Sequence, residues 1–158
     1  MEIERKFLIK QLPENISECE KAEIEQCYID LGEDGEPEKR IRRLTKNGET
    51  LYFYTEKGEG DLCREEEEYE IPAYSYENLM ELTISTAIQK TRHYIPLTET
   101  LTAELDVYSG SLEGLITAEV EFESLEDSES FTAPDWFGEE VTYNKEYHNS
   151  YMSMQKFE

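Results

Sequence analysis

The sequence predicts an α+β domain built chiefly from β-strands, with helices covering the sheet. Three observations carry that expectation. Apolar and polar residues alternate with a period of two along eight segments, most gaps between those segments hold turn-forming residues, and two stretches show helical spacing. A chain of 158 residues suits one core, so residues 1–158 are expected to form a single domain.

The elements follow in chain order. Residues 1–10 set Glu2, Glu4 and Lys6 against Ile3, Arg5, Phe7 and Ile9, a strand pattern. Residues 12–25 are polar, contain Pro13, and read as a loop with one short helix. Residues 26–31 give a second strand, and the Gly- and Pro-containing stretch at 32–37 a turn. Further strands are expected at 39–45, 50–57, 63–71, 87–95, 101–108 and 116–124. Asn47-Gly48 between the third and fourth is a strong hairpin signal. Helical spacing is clearest at 74–84, through Leu79, Met80 and Leu82, and at 143–157, through Tyr147, Tyr151 and Met154. Residues 126–130 read as a polar loop, and Trp136 as an aromatic anchor before the last helix, which either covers the sheet or plugs its end.

Charge narrows the function. Against 15 Lys and Arg stand 38 Asp and Glu, a formal net charge of -23. Such a field repels nucleic acid and anionic membrane and attracts divalent cations. No apolar run approaches the roughly 20 residues of a membrane span, and no secretory signal pattern opens the chain, so a cytoplasmic protein is expected. Cys19, Cys27 and Cys63 are an odd set without metal-ligand spacing, and read as incidental thiols. His93 and His148 have no triad partners and are assigned to structure.

The informative feature is which residues share a face. Side chains at i, i+2 and i+4 of a strand point the same way. That rule gathers Glu2/Glu4/Lys6, Arg40/Arg42, Thr55/Lys57, Arg64/Glu66/Glu68/Glu70, Lys90/Arg92, Glu104/Asp106 and Glu119/Glu121. The opposite faces carry Ile3/Phe7/Ile9, Ala103/Leu105/Val107 and Ala118/Val120/Phe122. A one-sided sheet would turn those charges to water. If the sheet closes with its apolar face outward, they line an interior instead, where buried charge is costly unless paired or bound. Carboxylates on adjacent strands offer hard oxygen ligands to Mg²⁺ or Mn²⁺. Converging Lys and Arg suit a polyphosphate.

These residues resemble the CYTH superfamily, the triphosphate tunnel metalloenzymes. Glu2-Ile3-Glu4-Arg5-Lys6 is similar to the family's ExExK signature. Arg40-Ile41-Arg42, Thr55-Glu56-Lys57-Gly58, Arg64 with Glu66 and Glu68, Lys90-Thr91-Arg92, Glu104/Asp106 and Ala118-Glu119-Val120-Glu121 follow in family order. The resemblance implies a closed, eight-stranded antiparallel barrel forming a tunnel, and hydrolysis of the terminal phosphate of inorganic triphosphate or a related compound with Mg²⁺ or Mn²⁺. It implies metal ligation by Glu2, Glu4, Glu119 and Glu121, with Glu104 and Asp106 close by. It implies phosphate binding by Lys6, Arg40, Arg42, Lys57, Arg64, Lys90 and Arg92. Lys6, Lys90 and Arg92 also count among the catalytic residues, with Glu66 and Glu68, which bind metal, orient the basic residues or hold the water. A class IV adenylate cyclase, a thiamine triphosphatase and a non-catalytic polyphosphate-binding module are the alternatives. The expected partner is a small-molecule triphosphate, with the chain a monomer or homodimer. Two positions depart from the pattern. Cys27 stands where Gly is common, and Glu65 and Glu67 make an unbroken acidic run at 65–68 in which a one-residue slip would swap the inward set.

Overall fold

The computed structural model describes residues 1–33 and 35–154. Its strands are β1 (Glu2–Ile9), β2 (Glu20–Leu31), β3 (Glu38–Lys46), β4 (Glu49–Lys57), β5 (Cys63–Arg64), β6 (Glu66–Ile71), β7 (Ile88–Pro96), β8 (Thr102–Ser109), β9 (Ile116–Phe122) and β10 (Phe137–Glu140). The helices are α1 (Ala73–Met80), α2 (Leu125–Ser130) and α3 (Asn149–Met152).

All pairings are antiparallel, in the order β10-β1-β9-β8-β7-β2-β3-β4-β6, and β5 returns to pair with β1. The sheet therefore curls almost fully round on itself. Among the described residues it holds ten strands rather than eight. One extra strand arises because the expected strand at 63–71 forks at Glu65: its first two residues bond to β1 and the rest to β4. The other is β10, which extends β1 along the edge that β5 leaves free. Between β4 and β5, Gly60 lets the loop fold tightly, since a side chain there would place its Cβ 2.1 Å from the Cys63 carbonyl oxygen. The hairpin at Asn47-Gly48 takes positive φ at both residues, 53° and 79°, as its sequence predicts.

Four other expectations need correction. Residues 20–25 continue β2 rather than forming a loop; Ala22 and Ile24 are buried between β3 and β7, while Lys21, Glu23 and Glu25 on the other side disguise the strand as polar chain. Residues 125–130 are helical rather than looped: Ser124 caps α2 by accepting from the Asp127 amide, and Glu126 and Asp127 favour its first turn. The helix expected over 74–84 ends at Met80, leaving Leu82 and Ile84 exposed. The helix expected over 143–157 is a 3₁₀ turn at Lys145–Tyr147 followed by α3, and residues 155–157 lie outside the described residues. Trp136 accordingly anchors β10, packing edge-on against Phe137 at 4.6 Å.

The largest apolar cluster lies outside the ring. Ile3, Phe7, Ala103, Leu105, Ala118, Val120 and Phe122 project from β1, β8 and β9 and are covered by Phe131, Trp136 and Phe137. Phe7 and Phe137 meet at 4.9 Å and Phe122 and Phe131 at 5.3 Å, so aromatic packing adds to area burial. A second patch joins Cys27, Ile41 and Tyr76, where α1 covers β2 and β3. Inside the ring, Tyr28, Ile88, Tyr108, Leu112 and Met152 form a small plug at one end, reached by α3.

Candidate functional site

The alternation of β1, β3, β4, β7, β8 and β9 turns every second side chain into the ring, and most of those residues are ionised. They enclose a cavity of about 310 Å³. Glu2, Glu4, Lys6, Glu104, Glu119 and Glu121 line one side, and Arg40, Arg42, Lys57, Arg64, Glu66, Glu68 and Arg92 complete it. At the fork, Glu66 and Glu68 point inward opposite Lys57 and Thr55 and line the cavity, whereas Glu65 and Glu67 do not. Glu70, on the same face as Glu68, lies beyond the cavity and is exposed.

Two predicted site residues sit deeper. Lys90 and Asp106 are buried below the cavity, joined at 2.8 Å. Asp106 also accepts from Arg92 Nε at 2.8 Å and from a terminal nitrogen at 3.0 Å, a bidentate pair. Burial opposes its ionisation, yet Arg92 and Lys90 hold its carboxyl below the usual range. Burial pushes Lys90 down to about 8 against the pull of Asp106.

Most cations in the cavity already face an acid. Lys57 lies 2.8 Å from Glu2 and 3.8 Å from Glu4. Lys6 lies 3.6 Å from Glu119, and its ammonium also donates to the Tyr147 carbonyl at 2.6 Å. Arg42 reaches Glu68 at 3.0 Å, Arg64 reaches Glu38 at 2.9 Å, and Arg92 pairs with Glu104. Arg40 differs. It is buried, its Nε has no hydrogen-bond partner, and among the described residues no carboxylate comes within ion-pairing distance.

The acids of β1 and β9 crowd one another, with Glu4 directly opposite Glu121 in register. Burial first, then the charges of Glu119 and Glu2, raises Glu4 well above the ordinary carboxylate value. Glu2 is raised by burial and its contact with Glu66, partly offset by Lys57. Glu121 is raised by burial, Glu2 and Glu104. Glu119 goes the other way: burial opposes its charge, but Lys6, Arg92, Lys90 and Lys57 together hold it well below. Among the described residues no three acid, imidazole or thiol groups converge closely enough to cage a metal as they stand.

Several lining residues escaped the sequence reading. Glu38 and Leu44 share a face with Arg40 and Arg42, and Tyr94 with Arg92, so the period of two would have found them. Tyr28, whose hydroxyl is pushed up to about 12 by burial first and then by Glu38, extends the face of β2 into the cavity. Asp61 and Thr142 come from irregular segments that carry no periodic signal, and His148 and Asn149 stand at the start of α3, where helical spacing does not show which side chains reach the cavity. His148 stands on the cavity wall with Nε2 3.4 Å from Asp61, whereas His93 lies on the outward register of β7.

The CYTH domain family profile matches residues 1–157. An inorganic triphosphatase of Nitrosomonas europaea is 38% identical over 153 residues, spanning 97% of this chain and 97% of its own length. One from Acetivibrio thermocellus is 33% identical over 156 residues, spanning 94% of this chain and 90% of its own. A solved structure of an inorganic triphosphatase superposes with a TM-score of 0.70 at 35% identity, covering 98% of this chain and 95% of that one.

Proposed function

Because the chain belongs to the CYTH domain family, we propose that it hydrolyses inorganic triphosphate to pyrophosphate and phosphate inside the charged cavity. The observation that carries this reading is Arg40, a buried guanidinium without an acid partner facing a space lined by further cations. Glu38, Glu66 and Glu68 keep Arg40 charged against its burial without pairing with it, which leaves its donors for an anion.

Three negatively charged phosphoryl groups match the set Arg40, Arg42, Lys57, Arg64 and Arg92, with Lys6 alongside. Arginine supplies paired donors to phosphate oxygens and lysine a compact charge. Asp106 holds the Arg92 guanidinium from beneath through its bidentate pair, which supports a role in fixing that donor rather than in ligating metal. Lys90 neutralises Asp106 from the other side.

A divalent cation fits the donor set of Glu2, Glu4, Glu119 and Glu121, with Glu104 beside them. All are hard carboxylate oxygens, and the raised carboxyls of Glu2, Glu4 and Glu121 reflect burial and crowding that such an ion relieves. Mg²⁺ or Mn²⁺ bound there would neutralise phosphate charge and lower the pKa of a nearby water. In the reaction the water oxygen bonds to the terminal phosphorus, the bridging P–O bond breaks, and the arginines take up charge on the departing pyrophosphate. Positioning and electrostatics suffice, so no side-chain nucleophile is required.

The test is a set of assays on the purified protein with triphosphate, ATP and thiamine triphosphate, each with Mg²⁺ or Mn²⁺. Release of orthophosphate from triphosphate ahead of the other two supports the proposal. Cyclic AMP from ATP, or binding of triphosphate without turnover, overturns it. Among the described residues no helix is long and apolar enough to cross a membrane.

A further inference from the structure

Glu38 is out of place by charge. The other ionised residues that β3 and β4 send into the cavity are Arg40, Arg42 and Lys57, and a carboxylate among them works against binding an anion. Glu38 is nevertheless buried, only 8% exposed, and belongs to the cavity wall.

Its contact accounts for its presence. Glu38 forms an ion pair with a terminal nitrogen of Arg64 at 2.9 Å. Arg64 arrives from β5, the two-residue strand that joins the ring to β1, where Arg64 is registered opposite Glu2. Its Nε donates to the Gly58 carbonyl at 2.9 Å. The guanidinium is thus held at two points, by the loop backbone on one side and by Glu38 of β3 on the other. A long, flexible cation loses rotamer freedom when it grips a ligand; one fastened beforehand has already lost it.

We propose that Glu38 is a positioning residue, fastening Arg64 across the junction of β5 and β1 in the orientation used to hold the triphosphate. This rests on the triphosphate reading above. Two effects oppose each other at Glu38, loss of an unfavourable charge and loss of the fastening, so the sign of the result is decisive.

The experiment measures calorimetric affinity for the non-hydrolysable imidotriphosphate, together with steady-state hydrolysis of triphosphate, for wild type, Glu38→Ala, Glu38→Gln, Arg64→Ala and the Glu38→Ala/Arg64→Ala double variant. Glu38→Ala is expected to weaken affinity and raise KM about tenfold, the loss of one close ion pair, with kcat within about threefold. Glu38→Gln recovers part of the loss, because its amide oxygen keeps a partial negative charge beside the guanidinium. The double variant binds no more weakly than Arg64→Ala alone, the signature of two residues acting as one. Losses that multiply in the double variant, or a Glu38→Ala protein that binds as well as wild type or better, overturn the proposal. If Glu38→Ala fails to fold, Glu38→Gln and Arg64→Ala decide: a Gln variant that binds as poorly as Arg64→Ala counts against it. Wild-type protein that neither binds nor hydrolyses triphosphate overturns the functional reading and this proposal together; normal wild-type binding that ignores Glu38 overturns this one alone.

Discussion

Lys6 and Phe7 are neighbours in β1 and obey opposite rules. Phe7 belongs to the outer sheath, where Ile3, Leu105, Val120 and Phe137 surround it and every contact is satisfied within the chain. Lys6 belongs to the inner wall, where Glu4 stands directly opposite Glu121 while Arg40, among the described residues, forms no ion pair with any acid. The sheath is a finished core, whereas the lining is completed by something outside the protein. Stability and activity should therefore separate by face, one residue apart along the same strand.

The largest effect expected is on the sheath. Phe7→Ala should cost about 3–5 kcal/mol of unfolding free energy, measured by denaturant titration, and leave triphosphate affinity of the folded fraction intact. A comparable loss of affinity would show that the two faces are not independent. Next comes the lining. Arg40→Ala should lower affinity for triphosphate about a hundredfold or more with little change in melting temperature, because Glu38, Glu66 and Glu68 offset its burial only at longer range and, among the described residues, none forms an ion pair with it. Arg40→Lys should restore little, since an ammonium lacks the paired donors. An Arg40→Ala protein that melts well below wild type would mean that Arg40 is structural.

A smaller effect has a pH signature. Burial and the charges of Glu119 and Glu2 raise the Glu4 carboxyl, so the native state holds that proton more tightly than the unfolded chain. The Glu4 contribution to stability consequently falls as pH rises, from the ordinary carboxylate value of about 4.3 up through the raised one. Glu4→Gln lacks this term, so its melting temperature should gain on wild type across that window and then level off. Excess Mg²⁺ should reverse the ranking at neutral pH, because wild type alone keeps the full carboxylate set. A constant difference between the two proteins at all pH values would break the account. The smallest effect is outside: Arg5 donates to Glu140 from two nitrogens at 2.8 and 2.6 Å near the protein surface. Arg5→Ala should cost roughly 1 kcal/mol, less in high salt, with hydrolysis unchanged.

Much of this was visible in the sequence because a period of two assigns faces. Glu2, Glu4 and Lys6, Arg40 and Arg42, Glu119 and Glu121 came together by that rule alone, and Asn47-Gly48 announced its hairpin. Depth along the ring was invisible, since periodicity tells in from out but not floor from mouth. Lys90 and Asp106 share the register of Arg92 and Glu104, yet lie below the cavity and pair with each other. The start of β2 was hidden for a related reason: its outward Lys21, Glu23 and Glu25 are as polar as any loop. The fork at Glu65 and the position of His148 beside Asp61 depend on contacts between segments far apart in sequence, which no local pattern records.

The pairing of β1 has a consequence for how the chain is made. Glu2–Ile9 bonds to β9 and β10, strands that lie more than a hundred residues later, from Ile116 to Glu140. Leaving the ribosome more than a hundred residues ahead of them, this strand waits for its partners, a long-range closure of the kind that slows folding and exposes chains to misassembly. What it shows to the cell on one face during that wait is glutamate and lysine, residues that water solvates and other chains do not stick to. The same charges that later form the interior keep the newborn strand soluble.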